Sequence, residues 1–346
     1  MRIAILGLSL TMMLPVAAGA QETDAWRANV VSDASAQTTA TAQRPAVRHA
    51  DTRRRGSMVG YIEDPVVESK VRIRFDAGFH TNAADRAEFF YPKGGWYRTL
   101  AATNPNRDPD APGPGPGLVA DLNFQQLYFQ AEYSWSGRVG LFAEAPIRSI
   151  RPQRFVAGSG TFDNHTGFGD LRAGVKLALV TDSDRNVTVQ FKTYFPSGDA
   201  LKGLGTDHAS VEPALLYSQR VSDRLSIESM IGDWHPVGGS KGLPTSTSSE
   251  KFSGDVLFYG MGPSYDLVNT DHMRFGPVVE LVGWHLLSGF QTKTLGKVDG
   301  MNIVNLKLGA RVIVDGKHSF YVGYGHGLTD NVWYSDLFRM EYRVGF

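Results

Sequence analysis

The sequence predicts an all-β protein: a transmembrane antiparallel up-and-down β-barrel of about 12 strands. Three observations predict it. The chain opens with an export signal. From residue 70 onward, apolar and polar residues alternate with period two. The connections between the alternating segments are short and long in rotation.

Composition sets the frame. The 346 residues carry 35 Lys+Arg against 35 Asp+Glu, so no basic excess marks a nucleic-acid binder. The absence of cysteine excludes disulfides, thiolate zinc sites and a lipid-modified cysteine. The 38 glycines and 11% aromatic residues suit many strands with Gly-rich turns and aromatic belts.

At the N-terminus, Arg2 precedes an apolar run over residues 3–14, too short to span a bilayer as a helix. Pro15 breaks the run, and Ala18-Gly19-Ala20 gives the small-residue cleavage pattern, with the cut expected between Ala20 and Gln21. Residues 1–20 are therefore read as a signal peptide, 21–65 as a flexible periplasmic segment, and 66–346 as the barrel. The segment up to residue 60 is rich in Ala, Thr, Gln and Ser, lacks strand or helix period, and holds a basic cluster at Arg53, Arg54 and Arg55. A tail that enters the barrel as a plug, or binds an anionic partner, is the competing expectation.

In the first barrel segment Val71, Ile73, Phe75, Ala77 and Phe79 alternate with Lys70, Arg72, Arg74, Asp76 and His80. The pattern recurs near 122–135, 138–149, 167–181, 186–196, 208–220, 224–235, 253–267, 272–286, 302–314, 317–326 and 333–346, and most of these reach the ~9–11 residues a tilted membrane strand needs. Every second connection is short, such as Ser136-Gly137, Ser222-Asp223 and Asp315-Gly316. Those between, such as 81–121 and 197–207, are long. Sorting by length places the turns in the periplasm and, with an even strand count, both termini there too.

The last segment fixes the faces. Arg339, Glu341 and Arg343 lie on one side, and Phe338, Met340, Tyr342, Val344 and Phe346 on the other. An Arg against lipid at mid-membrane costs about 2–4 kcal/mol, so the charged face must look inward. By the same parity the lumen is expected to hold Arg72, Arg74, Glu132, Glu144, Asp170, Arg172, Lys176, Lys192, Glu212, Arg224, Glu228, Glu280, Lys307, Arg311, Arg339, Glu341 and Arg343. These either line a narrow polar pore or brace a closed interior with salt bridges.

The terminal alternation Phe338, Met340, Tyr342, Val344, Phe346 resembles the C-terminal signal strand that the barrel-assembly machinery reads in bacterial outer-membrane proteins. Gly167-Phe168-Gly169-Asp170, Pro196-Ser197-Gly198-Asp199 and Gly203-Leu204-Gly205-Thr206 resemble the transporter-like barrels of the meta-pathway of phenol degradation family. That resemblance, over residues 120–346, implies a passive outer-membrane conduit for small solutes, hydrophobic or aromatic compounds among them. The implied surroundings are outer-membrane lipid and lipopolysaccharide.

His208-Ala209-Ser210 is the catalytic candidate, because outer-membrane lipid hydrolases place His and Ser two apart on one strand. Here the pair shares parity with Glu212, which turns it to the lumen, away from lipid. A closed structural barrel is the remaining alternative. The scattered histidines form no metal-ligand spacing, and no cofactor is expected. Loop 81–121, with Phe89-Phe90-Tyr91 and Trp96-Tyr97, could fold inward to narrow a pore or cap the barrel surface.

Overall fold

The computed structural model describes residues 56–82, 95–104, 107–238, 253–291 and 296–346. Twelve long strands form a closed antiparallel barrel. They are β1 Lys70–Thr81, β2 Val119–Ser134, β3 Val139–Phe155, β4 Leu171–Thr181, β5 Arg185–Phe195 and β6 Ala209–Arg220. The circuit continues with β7 Leu225–Val237, β8 Val256–Tyr265, β9 Met273–Leu286, β10 Asn302–Val314, β11 His318–Gly327 and β12 Asp336–Gly345. Each pairs with its sequence neighbour, and β12 returns to β1 from Lys70↔Gly345 to Phe79↔Asp336, so no long edge is left unpaired. Among the described residues no helix is long and apolar enough to cross a membrane.

The period-two pattern becomes two surfaces. Phe129, Leu141, Val175, Leu177, Ile231, Leu281, Leu308, Phe320, Val322 and Met340 lie exposed on the outside. Their charged neighbours turn inward and are buried. Short turns close the strands at one end. At Asp315-Gly316 both residues have positive φ, at 51° and 65°, the backbone that a two-residue hairpin needs to match the strands' twist.

Three boundaries differ from the sequence pattern. Strand β3 runs on to Phe155, where a loop is expected from residue 150. The segment expected from 167 breaks at Gly169-Asp170, because Asp170 accepts hydrogen bonds from Gly198 N (2.9 Å) and Thr206 N (2.9 Å) and so ties down a loop. Strand β12 begins at Asp336, not at 333, because Trp333 and Tyr334 leave the sheet to bury inside.

The larger difference lies before β1. Residues 56–65 are not a solvated extension. Met58, Val59 and Ile62 are buried in the central apolar cluster with Trp284 and Tyr321. Gly60 lies so close to the Tyr321 ring that any Cβ there would collide with it. Residues 1–55, with the stretch expected to be a signal peptide, lie outside the described residues. So do Phe89, Phe90 and Tyr91, while Gly95–Arg98 forms one helical turn that Arg98 ties to the Ala111 (2.5 Å) and Gly113 (2.8 Å) carbonyls.

Candidate functional site

The site is the lumen, built from the inward residues of the strands and from residues 56–69. That segment is held by wall side chains, with no strand pairing. Glu280 on β9 accepts from the main-chain N–H of Gly60 (2.9 Å), Tyr61 (2.8 Å) and Ile62 (2.8 Å). Glu228 on β7 accepts from Met58 N (2.8 Å). Arg311 donates to the Met58 (3.0 Å) and Val59 (2.8 Å) carbonyls, and Arg339 donates to the Gly60 carbonyl (2.6 Å). Lys176 and Thr188 donate to the carbonyls of Asp64 (3.0 Å) and Pro65 (2.6 Å). An extended chain has main-chain donors and acceptors that must be paired once buried, and the wall supplies those partners.

Most of the remaining charges meet one another. Arg339 forks onto Asp76 (2.6 and 2.7 Å), and Arg172 and Arg72 both reach Glu144 (2.9 and 3.2 Å). Lys192 bridges Glu212 (2.8 Å) and Glu63 (3.0 Å), and Lys176 meets Glu132 (3.0 Å). Glu341 joins Arg311 (2.7 Å) and Arg343 (2.5 Å), while Asp64 joins Lys70 (2.5 Å) and Arg343 (3.1 Å). Register makes this possible: Arg74 stands opposite Glu341 and Asp76 opposite Arg339. Arg72 stands opposite Arg343, and the surrounding carboxylates offset that like-charge pair.

Among the described residues, two cavities bear on the lumen. One, of about 120 Å³, lies toward the long-loop end, floored by Tyr61 and Glu63 and bordered by Tyr334 from the β11–β12 connection. The other, of about 130 Å³, opens at the short-turn end beneath Gly56, Ser57, Asp64 and Glu68, beside the turn Asn269–His272. No wall residue lines both cavities; residues 56–69 part them.

Of the residues placed in the lumen by parity, all but Arg224 are buried. Arg224 is a correction: it sits exposed in the turn before β7, where strand parity no longer holds. Asp170 is buried, but its bonds to loop 198–206 make it a brace for that loop. The expected lumen set also omits inward groups. Asp76 follows the polar parity of β1, and Arg148 that of β3, though neither is among the expected lumen residues. Glu63 and Asp64 belong to the segment read as tail, where the apolar Met58, Val59 and Ile62 were the available signal. Trp333 and Tyr334 carry no periodic signal at all. On the outward face, Phe338 and Met340 are exposed, and Phe346 donates its N–H to the Ser69 carbonyl (3.1 Å).

The His208/Ser210 pair does not assemble. Both residues are buried. His208 Nδ1 lies 2.8 Å from the Thr206 carbonyl and so must donate to it, leaving Nε2 to accept from Ser253 Oγ at 3.2 Å. Ser210 Oγ is buried without a hydrogen-bond partner. Asp233, His235 and Asp255 come within 4.8 Å of one another around the β7–β8 pair, a grouping hidden in sequence by the distance to Asp255.

No family model matches the chain, and no curated protein does. Solved structures match its fold. The outer membrane channel from Pseudomonas putida F1 aligns at TM-score 0.50 and 12% identity, over 81% of this chain and 96% of that one. The β domain of the Bordetella autotransporter BrkA aligns at 0.45 and 13%, over 81% and 100%. The CymD monoaromatic hydrocarbon channel aligns at 0.39 and 10%, over 81% and 89%. At such identities the first likeness speaks for the fold, which is that of an outer-membrane barrel channel.

Proposed function

We propose that the chain is a passive outer-membrane channel for small solutes, hydrophobic or aromatic compounds among them, whose lumen is partitioned by residues 56–69. The observation that carries this is the pair of cavities, one toward each end of the barrel, separated by that segment and the wall charges that grip it. A barrel braced shut would be filled by wall side chains from end to end, as the smallest barrels are. Here the partition is continuous with the start of β1 and hydrogen-bonds to wall side chains, so it can leave without breaking the barrel's strand pairing. The outward apolar surface suits outer-membrane lipid and lipopolysaccharide. Export through a signal peptide cut after Ala20, and delivery to the barrel-assembly machinery through Phe338, Met340, Tyr342, Val344 and Phe346, belong to the same reading.

Single-channel recording in planar bilayers tests it. The purified barrel should give stepwise conductance, and a variant lacking residues 21–65 should conduct several-fold more per channel. A folded barrel that never conducts, with or without the segment, would end the channel reading.

A further inference from the structure

We infer that the cavity toward the long-loop end binds a small organic anion with an apolar body, an aromatic carboxylate in chemical class. This rests on the channel reading and narrows its solute.

The cavity has two unlike walls. Met230, Phe258, Val282 and Trp284, from β7, β8 and β9, supply carbon. Arg74, Tyr128, Arg172, Lys192 and Tyr194, from β1, β2, β4 and β5, supply cations and phenol rings. Strand order sets the walls across the lumen from each other, since β2 and β8 are six strands apart in a ring of twelve. A ligand between them meets hydrocarbon on one side and guanidinium on the other.

The polar wall is built and left partly unpaired. Arg74 lies 3.9 Å from the Tyr128 ring centre, and Arg172 lies 5.1 Å from that ring and 4.8 Å from Tyr194. Stacking fixes the planes of both guanidinium groups. The buried Arg172 Nε–H has no hydrogen-bond acceptor, and the Arg74 Nε–H makes no hydrogen bond, the Asp76 carboxylate lying 3.5 Å away. Such donors are costly to bury unless something accepts from them, and a carboxylate suits the planar fork. Lys307 is the second sign. It is 1% exposed, donates to the Tyr334 hydroxyl (2.7 Å), lies over the Tyr61 ring (4.0 Å), and has no carboxylate oxygen within 4.0 Å among the described residues. The cavity is lined by five basic residues, Arg74, Arg172, Lys192, Lys307 and Arg339, against the three acids Glu63, Asp76 and Glu212, with Glu144 pairing Arg172 from just beyond it. Lys307 is the basic group left without a carboxylate, and an anion would supply one.

Size narrows the class. An apolar cavity of about 150 Å³ takes one benzene ring, and this one measures about 120 Å³. That limits the ligand to one ring whose carboxylate reaches into the polar wall; an oligosaccharide does not fit.

The test uses the full-length folded protein, with heat-modifiable gel migration as the check on folding. Benzoate, benzyl alcohol and acetate are compared as ligands by calorimetry and as blockers of single-channel current. Benzoate should bind and interrupt current, with benzyl alcohol and acetate weaker by about tenfold or more, since each lacks one half of the recognition. Lys307→Met and Arg172→Gln should each weaken benzoate by a similar factor and leave benzyl alcohol unchanged. Benzyl alcohol binding as well as benzoate, or benzoate failing to bind the folded protein, overturns the inference. So does water alone satisfying the two Nε–H groups, seen as benzoate affinity unaltered in both variants. A barrel that conducts without preferring benzoate sinks the site alone. One that binds benzoate but never conducts sinks the channel and keeps the site.

Discussion

The short-turn half and the long-loop half of the lumen are built from the same residue types yet resolve their charges differently. In the short-turn half, Lys70, Lys176, Arg311 and Arg343 each find a carboxylate, and Glu228 and Glu280 receive main-chain donors from residues 58–62. In the long-loop half, Arg172, Lys192 and Arg339 find carboxylates too, but Lys307 finds only a hydroxyl. Stability and function divide along that line. A buried charge with its partner in place contributes modestly, but deleting one partner is expensive. Unmet donors are tolerated where something else arrives to meet them.

The largest expected effect comes from breaking the paired half. Glu280→Ala strips the acceptor from three buried main-chain donors and should destabilise segment docking by about 3–5 kcal/mol, as loss of one buried partner does. Limited proteolysis should then cut near residues 56–62, whereas the wild type resists. Equal resistance would mean that the segment is not held as described. Glu280→Gln, which keeps an acceptor, should lie between.

Next comes a matched pair of substitutions. Lys176→Met abandons Glu132 and should cost about 3 kcal/mol, whereas Lys307→Met abandons no carboxylate and should be neutral or stabilising. Chemical unfolding in micelles reads both. Similar losses in the two variants would erase the distinction between the halves. Tyr334→Phe removes the one hydrogen-bond acceptor that Lys307 has among the described residues and should cost about 2 kcal/mol.

The smallest effect lies outside the membrane-spanning strands. The hydrogen bond from Lys202 holds the Asp199 carboxyl below its ordinary range. A depressed carboxyl stabilises above its unfolded pKa and loses that contribution as pH falls through its folded value. The turn at residues 199–204 should therefore keep its amide protection from neutral pH down through the ordinary carboxylate range and loosen only below it. Hydrogen exchange at Gly203 and Leu204, whose N–H groups donate to the Ala200 and Asp199 carbonyls, would report this.

Much of the barrel was legible because one rule, period two against a hydrocarbon surround, governs every strand. Placing Arg on the wrong face costs more than local packing returns, so Arg72, Lys176 or Arg339 could be set inside without coordinates. The rule failed where its premise failed. Arg224 stands in a turn, so parity says nothing about it. Trp333 and Tyr334 reach the lumen from a connection, through packing on Trp284 and Phe124 that no local pattern encodes. Residues 58–62 read as tail because an extended plug needs no periodicity. It takes its hydrogen bonds from residues about 170 to 280 positions away, a long-range pairing invisible to local sequence.

The central claim, that residues 56–69 partition a conduit, can be tested within one molecule. Ile62 side-chain atoms lie 3.1 Å from where a Cβ on Gly260 would stand, and the chain has no cysteine of its own. The double variant Ile62→Cys, Gly260→Cys should therefore form a disulfide that fixes the segment to β8. Single-channel conductance of that variant is predicted to be lower when oxidised and to rise on reduction, with the cysteine-free protein indifferent to reductant. Equal conductance in both redox states, with the disulfide verified by mass, would contradict the partition.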